Sequence, residues 1–442
     1  MKYVEQVKSV VLFLLIFLSL TLTFTIWNFT PSYDKIESSP AVDVSIGEKK
    51  TIKQVVRPIK MLYQEDETVK GTTKKDEIDL FTNSMEQWEI REVTRIAENA
   101  SPKTLSSYMH EKNRFVLYYP GNIPFPVFDA LVDITDSAIP EASFDRIAIE
   151  WATPENAQST IYFINTISGM VYQGRIAVNE TNRFQQDILE KADEYPVYVT
   201  DEKIGKLPIY VPEEKTTQVI YPYLLEEITP ESFRSALFES TSNIESSGDL
   251  ANKKYTDDTG AIMRLDEAQK SMSFVQPAAE TSDPSIPSEL IFNTVDFIND
   301  HGGWTNDYRY FGLAPLNQQV SYRLFLDNLP VFSSTASAEL EVRWGMRDGQ
   351  EQVFRYVRPY YVLESTAQTE TTELEPGTEA LAAISELEKE QLANVTEIIP
   401  GYELVQTDGK LITFLPAWYY QIDGTWKKLS QDAAGGGNLG LE

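Results

Sequence analysis

The sequence predicts an α+β protein: an N-terminal membrane helix followed by an extracytoplasmic multi-domain region of largely antiparallel sheets with helices, its last two units duplicated. Three observations carry this expectation. The chain opens on a long uncharged run. Most of the remainder consists of short segments rich in Val, Ile, Tyr and Thr, bounded by Gly, Pro and Asp turns. In the second half the order helix, then antiparallel strands, occurs twice, on either side of a Thr/Glu-rich break.

Residues 9–33 contain no charged side chain. As a helix this run would be about 37 Å long, against a hydrocarbon core of roughly 30 Å. Trp27 lies where an interfacial aromatic anchor is useful. Lys2 and Lys8 in the short stub favour a cytoplasmic N-terminus, although Lys35 follows the run on the other side. A cleaved signal peptide is the competing reading, but the apolar stretch is long and no A-x-A-like site follows it. The segmentation expected is a cytoplasmic stub at 1–8, a transmembrane signal anchor at 9–30, an N-terminal α+β region at 31–230, a central α+β domain at 231–365, a C-terminal α+β domain at 366–430 and a flexible tail at 431–442.

Residues 55–63 have strand-like apolar content broken by Pro58. Ile78, Phe81, Met85, Trp88, Val93 and Ile96 recur near helical spacing, so 76–97 reads as one helix. Strands are expected at 115–119, 146–151, 160–167 and 170–178, the last two joined through Ser168-Gly169. Residues 184–192 read as a helix. In the second half a helix at 288–299 precedes strands at 308–313, 320–326, 338–344 and 351–359, with a hairpin turn at Asp348-Gly349. A second helix at 379–393 precedes strands at 395–406 and 411–422. Residues 277–287 and 364–376 read as linkers or loops.

Composition excludes several chemistries. With 67 acidic against 38 basic residues the net charge is -29, so no general basic surface exists to displace counterions from nucleic acid. There is no cysteine, hence no disulfide or thiolate site, and two histidines cannot make a three-His zinc site. No Gly-x-Ser-x-Gly elbow accompanies His110 or His301. His301, before two glycines, reads as a helix C-terminal residue. Glu150 beside Trp151 has the look of a sugar-facing acid next to a stacking ring, yet it sits at a strand end, where such pairs are commonplace, and that reading is preferred. Asp257-Asp258-Thr259-Gly260 fails the calcium-loop pattern and reads as a turn. No cofactor, metal or catalytic residue is expected, and the chain reads as a non-enzyme.

The feature with most content lies in the membrane helix. At 100° per residue, Ser19 and Thr23 share one face, and Thr21 and Thr25 another about 200° away. Small hydroxyl residues at this spacing let helices approach and hydrogen-bond; they also bond back to their own carbonyls while facing lipid.

Several segments resemble a known family. They are Leu265-Asp266-Glu267-Ala268 running to Phe274-Val275-Gln276-Pro277, Leu324-Phe325-Leu326-Asp327-Asn328-Leu329-Pro330-Val331-Phe332, Val342-Arg343-Trp344-Gly345, Tyr356-Val357-Arg358-Pro359 and Phe414-Leu415-Pro416-Ala417-Trp418. With the single membrane helix, they resemble the YycH (WalH) family of low-GC Gram-positive bacteria over essentially the whole chain. The resemblance implies an accessory protein of the essential YycG (WalK) sensor histidine kinase, which controls cell-wall metabolism. It implies kinase contact through the membrane helix, a sister protein of the YycI type, and no catalytic residues. An extracytoplasmic binding module for a wall polymer or peptide, and less so a wall hydrolase, are the alternatives.

Overall fold

Two β-sheets, of ten and fifteen strands, carry the architecture of this computed structural model. The structure describes residues 46–429 apart from 136–138, 152–158, 179–187, 239–242, 249–251, 282–284, 367–368 and 409. Before them it describes Lys8, Leu12, Leu15, Leu18 and Ser19, which are helical. No helix among the described residues is long and apolar enough to cross a membrane. The described residues from Ile46 to Leu429 form one compact body.

The first sheet contains β1 (Lys60–Glu65), β2 (Thr68–Thr72), β3 (Trp88–Ala97), β4 (Arg114–Pro124), β5 (Asp133–Ile134), β6 (Ser143–Glu150), β7 (Ser159–Ile164), β8 (Val171–Val178), β9 (Val197–Val199) and β10 (Val211–Pro212). Its order is β10-β9-β2-β1-β4-β6-β7-β8-β3-β5. The hairpin expected around Ser168-Gly169 is present, with Ile164 opposite Val171.

The second sheet begins with β11 (Thr216–Glu227), β12 (Glu245–Ser247), β13 (Lys254–Thr256), β14 (Ile262–Asp266), β15 (Ser271–Val275), β16 (Tyr308–Ala314), β17 (Gln319–Leu326) and β18 (Leu329–Phe332). It continues with β19 (Glu339–Arg347), β20 (Gln350–Pro359), β21 (Tyr361–Ser365), β22 (Glu370–Leu374), β23 (Val395–Asp408), β24 (Leu411–Ile422) and β25 (Thr425–Lys428). Asp348 and Gly349, both at positive φ (54° and 78°), turn β19 into β20. Such a turn has the twist a two-residue hairpin requires. The chain crosses from the first sheet to the second between Pro212 and Thr216, so β11 lies within the span grouped as 31–230 but pairs with β21, β22 and β24.

Three local expectations are corrected. The helix expected at 76–97 ends early: Lys75–Met85 is helical, burying Ile78, Phe81 and Met85, and β3 follows. Trp88 stands three residues after Met85 and so mimics continued helical spacing. From there Trp88 and Ile90 alternate with more exposed Glu89 and Arg91, and β-branched Val93, Thr94 and Ile96 favour the pleated surface. The expected linker 364–376 supplies the end of β21 and all of β22, which run beside β11 with Thr371 opposite Val219. The helix expected at 379–393 divides into Gly377–Ser385 and Lys389–Leu392. Glu386 caps the C-terminus of the first, while Glu388 at the N-cap and Glu390 in the first turn favour a fresh start for the second.

The helix Pro287–Asp300, opened by Pro at its first turn and closed at His301, buries Leu290, Ile291, Val295 and Ile298. It precedes the antiparallel strands β16, β17, β19 and β20, as Gly377–Ser385 precedes β23, β24 and β25. The order repeats, but the strands do not separate into two units. Parallel pairing of β18 with β23, Val331 opposite Tyr402, merges them into one sheet.

The two sheets share one continuous apolar core that includes Phe115, Phe144 and Ile161 from the first and Tyr310, Tyr322 and Leu340 from the second. β4 and β16 approach closely at two glycines: a Cβ on Gly121 would stand 3.0 Å from the Gly312 Cα. Ser288, at the start of its helix, donates from backbone and hydroxyl to the Glu141 carboxylate, both at 2.9 Å.

Candidate functional site: a buried ion cluster beside an inter-sheet cleft

Strand register builds the site. Lys60 on β1 lies opposite Tyr118 on β4, and Tyr118 lies opposite Arg146 on β6. Three residues in one cross-strand row project to the same face of the sheet. The Tyr118 ring is flanked by two cations, with Lys60 Nζ 4.5 Å and the Arg146 guanidinium 4.4 Å from its centroid.

The second sheet answers with Glu397 on β23. Its Oε1 accepts from Lys60 Nζ at 2.6 Å and its Oε2 from Arg146 at 3.1 Å. Lys60 also donates to the Tyr210 carbonyl at 3.2 Å. Arg146 bonds Asp145 at 2.9 Å, and Asp145 accepts from the Thr166 backbone at 2.8 Å and its hydroxyl at 2.6 Å. Two cations thus face two carboxylates. Only such balance makes it tolerable to keep Lys60 at 1% exposure.

Burial pulls the Lys60 ammonium below the ordinary lysine range, with Glu397 opposing and Arg146 adding to the fall. His110 packs against Tyr210 in a tilted arrangement, with ring centroids 4.8 Å apart. Burial, then Lys60, Arg146 and Arg114, push its imidazole down to about 3. It is neutral near pH 7. His110 Nε2 and the Tyr118 hydroxyl are both buried with no hydrogen-bond partner among the described residues.

Beside the cluster lies a cleft of about 560 Å³, within the size range of small-molecule sites. Tyr118, Arg146 and Glu397 contribute its polar wall, and Leu105, Met109, Leu207 and Val395 an apolar one. Ile167, 84% exposed, is part of the lining from the β7–β8 turn. The arrangement suits charge pairing and hydrogen bonding. Among the described residues no group of three or more His, Cys, Asp or Glu is placed to hold a metal ion.

Of the residues singled out in the sequence, Ser19 is helical and exposed. Thr21, Thr23, Thr25 and Trp27 lie outside the described residues. Glu150 is occupied by Arg114 at 2.8 Å, and Trp151 is 4% exposed, so the pair is no sugar platform. Asp257 caps its own turn, accepting from the Thr259 and Ala261 backbones at 3.1 and 2.8 Å. His301 closes its helix, stands 3.4 Å from the Tyr356 hydroxyl and is also pushed down to about 3, by burial and then Arg358. Lys60, Arg146 and Glu397 escaped the sequence reading. Their signal was a lone charge in an apolar strand, Lys60 before Met-Leu-Tyr and Glu397 before Ile-Ile-Pro.

Comparison with known proteins accounts for nearly the whole chain. Residues 5–192 match the family model described as the YycH protein N-terminal domain, and residues 206–434 that of its C-terminal domain. A relative from Bacillus subtilis (strain 168), the two-component system WalR/WalK regulatory protein YycH, is 23% identical over 460 residues, covering 99% of each chain. The crystal structure of YycH from Bacillus subtilis superposes with a TM-score of 0.73 at 20% identity, covering 87% of this chain and 99% of that one. The fold is therefore shared over most of this chain, and the chain belongs to the YycH family.

Proposed function

We propose that this protein is a membrane-anchored, extracytoplasmic, non-enzymatic regulator that binds and modulates a WalK-type sensor histidine kinase together with a YycI-like sister protein. The observation that carries the reading is a relationship to a WalR/WalK regulatory protein that runs the full length of both chains. The uncharged run at 9–33 supports the anchor, and Lys2 and Lys8 before it support the cytoplasmic N-terminus.

Regulation by such a partner requires unequal binding to two kinase states. A differential of about 1–3 kcal/mol changes signalling roughly 5- to 150-fold. Anchoring adds to this by confining the protein beside its target, which raises effective concentration without new contacts.

The test separates tethering from specific helix packing. Ser19→Leu with Thr23→Leu preserves the apolar length and removes one small hydroxyl face. It is expected to lower co-purification of the kinase and to shift a reporter of the response regulator, at unchanged protein level. Thr21→Leu with Thr25→Leu is expected to act on the sister protein instead. Wild-type behaviour of both double variants, or full replacement by an unrelated anchor, defeats helix-mediated recognition. Loss of the reporter effect on deleting the whole chain is the separate check on regulation itself.

A further inference from the structure

We infer that the face of the second sheet formed by β23, β24 and β25 carries a binding groove for a neutral saccharide. This inference is independent of the kinase reading.

The groove, about 520 Å³, is built by an edge hairpin. β25 pairs with β24 so that Trp426 stands opposite Gln421 and Lys428 opposite Tyr419, placing both side chains on one face. On that face Phe332 stacks on Tyr419 with ring centroids 4.0 Å apart, and Trp426 lies 5.6 Å from Phe332 and 6.0 Å from Phe311. Gly401 makes the stack possible. A Cβ there would approach both the Phe332 and the Tyr419 rings to 3.0 Å. Trp426 is held on its inner side by this aromatic group, yet stays only half-buried and lines the groove.

The polar part of the lining is charge-neutral and hydroxyl-rich. Arg323 pairs with Glu339, and Lys428 pairs with Glu403 at 2.6 Å. Ser333, Ser334 and Thr425 add hydroxyls. The Arg323 guanidinium lies 4.4 Å from each of the Phe311 and Phe332 rings, and its Nε has no partner among the described residues.

These features select a ligand class. The C–H-rich face of a pyranose ring is weakly electropositive and suits the negative face of an indole. Sugar hydroxyls donate and accept at once, which matches paired carboxylates and cations that keep spare lone pairs and N–H groups. The two carboxylates oppose a polyanion and the two cations oppose a polycation. A half-buried aromatic beside balanced polar groups in a concave site is thus better suited to a neutral polyhydroxylated chain than to a charged one.

The experiment is isothermal titration calorimetry of the full chain in detergent micelles. The probes are chitotetraose and maltotetraose, with heparin as a charged competitor. At least one tetrasaccharide is expected to bind, and Trp426→Ala to weaken it about tenfold or more. Trp426→Phe should keep most of the affinity. Glu403→Gln should weaken binding without lowering the thermal midpoint seen for Trp426→Phe, which guards against a folding artefact. No heat from either tetrasaccharide up to about 10 mM overturns the inference. So does affinity equal to wild type in Trp426→Ala, or stronger binding of heparin than of both neutral probes.

Discussion

Lys60 and Glu397, 337 positions apart in the chain, meet at 2.6 Å between the two sheets. Glu397 serves two cations, because Arg146 reaches its other oxygen. The two ends of this contact are therefore unequal. Glu397→Gln leaves both Lys60 and Arg146 under-compensated and is expected to cost about 3–5 kcal/mol, the usual consequence of stranding buried charge. Lys60→Met leaves Glu397 with Arg146 and is expected to cost clearly less. Urea denaturation followed by tryptophan fluorescence measures both. Equal losses would mean that Arg146 does not share the carboxylate.

Acid sensitivity follows from the two histidines. Each sits at about 3 in the fold against an ordinary 6.5. As pH falls below 6.5 the unfolded chain takes up protons that the fold refuses. The stabilising contribution is complete above that value and is lost as pH falls towards 3, with a slope of up to about 1.4 kcal/mol per pH unit for each imidazole. Lys60, Arg146 and Arg114 add to burial in opposing protonation of His110. His110→Phe can keep the ring contact with Tyr210 and is expected to flatten the decline in denaturation midpoint between about pH 7 and about pH 4. An unchanged slope would refute the burial of a neutral imidazole there.

Carboxylate titration adds a second, more acidic limb. Burial works to raise Asp307, but Arg309 and Lys50 outweigh it and hold the carboxyl at about 2 against an ordinary 3.8. Its stabilisation is present above 3.8 and disappears as pH falls towards 2. Asp307→Asn is expected to lower stability near neutrality and to make the most acidic part of the profile shallower.

Two glycines of the β19–β20 hairpin separate steric from conformational cost. A Cβ on Gly345 would fall 1.8 Å from the Ala279 carbonyl oxygen, a backbone atom that cannot swing aside. Gly349, at φ +78°, has nothing within 4 Å of that position. Gly345→Ala is expected to cost about 3 kcal/mol or more. Gly349→Ala should cost about 1–2 kcal/mol, the penalty of a left-handed L-residue. The reverse ranking in thermal midpoints would contradict the packing of the 3₁₀ turn Pro277–Ala279 against β19.

The elements legible in the sequence are those specified by neighbouring residues. Leu340, Val342 and Trp344 alternate with charged residues and lead to Asp348-Gly349, so β19, its turn and β20 follow from period and turn chemistry alone. The helix Pro287–Asp300 carries its start, apolar face and stop within its own residues. The family too was legible, because its motifs are local strings. The tertiary structure decided the rest. Trp88 fits a helix by spacing and joins a strand because β8 offers it a partner at Val178. The Thr-rich segment around Thr371 becomes a strand only because β11 runs beside it. Lys60, Arg146 and Glu397 form a cluster because register aligns the first two and sheet-on-sheet packing delivers the third. Pairings between distant segments depend on which edges and faces meet after the chain has collapsed, and local spacing carries no record of that.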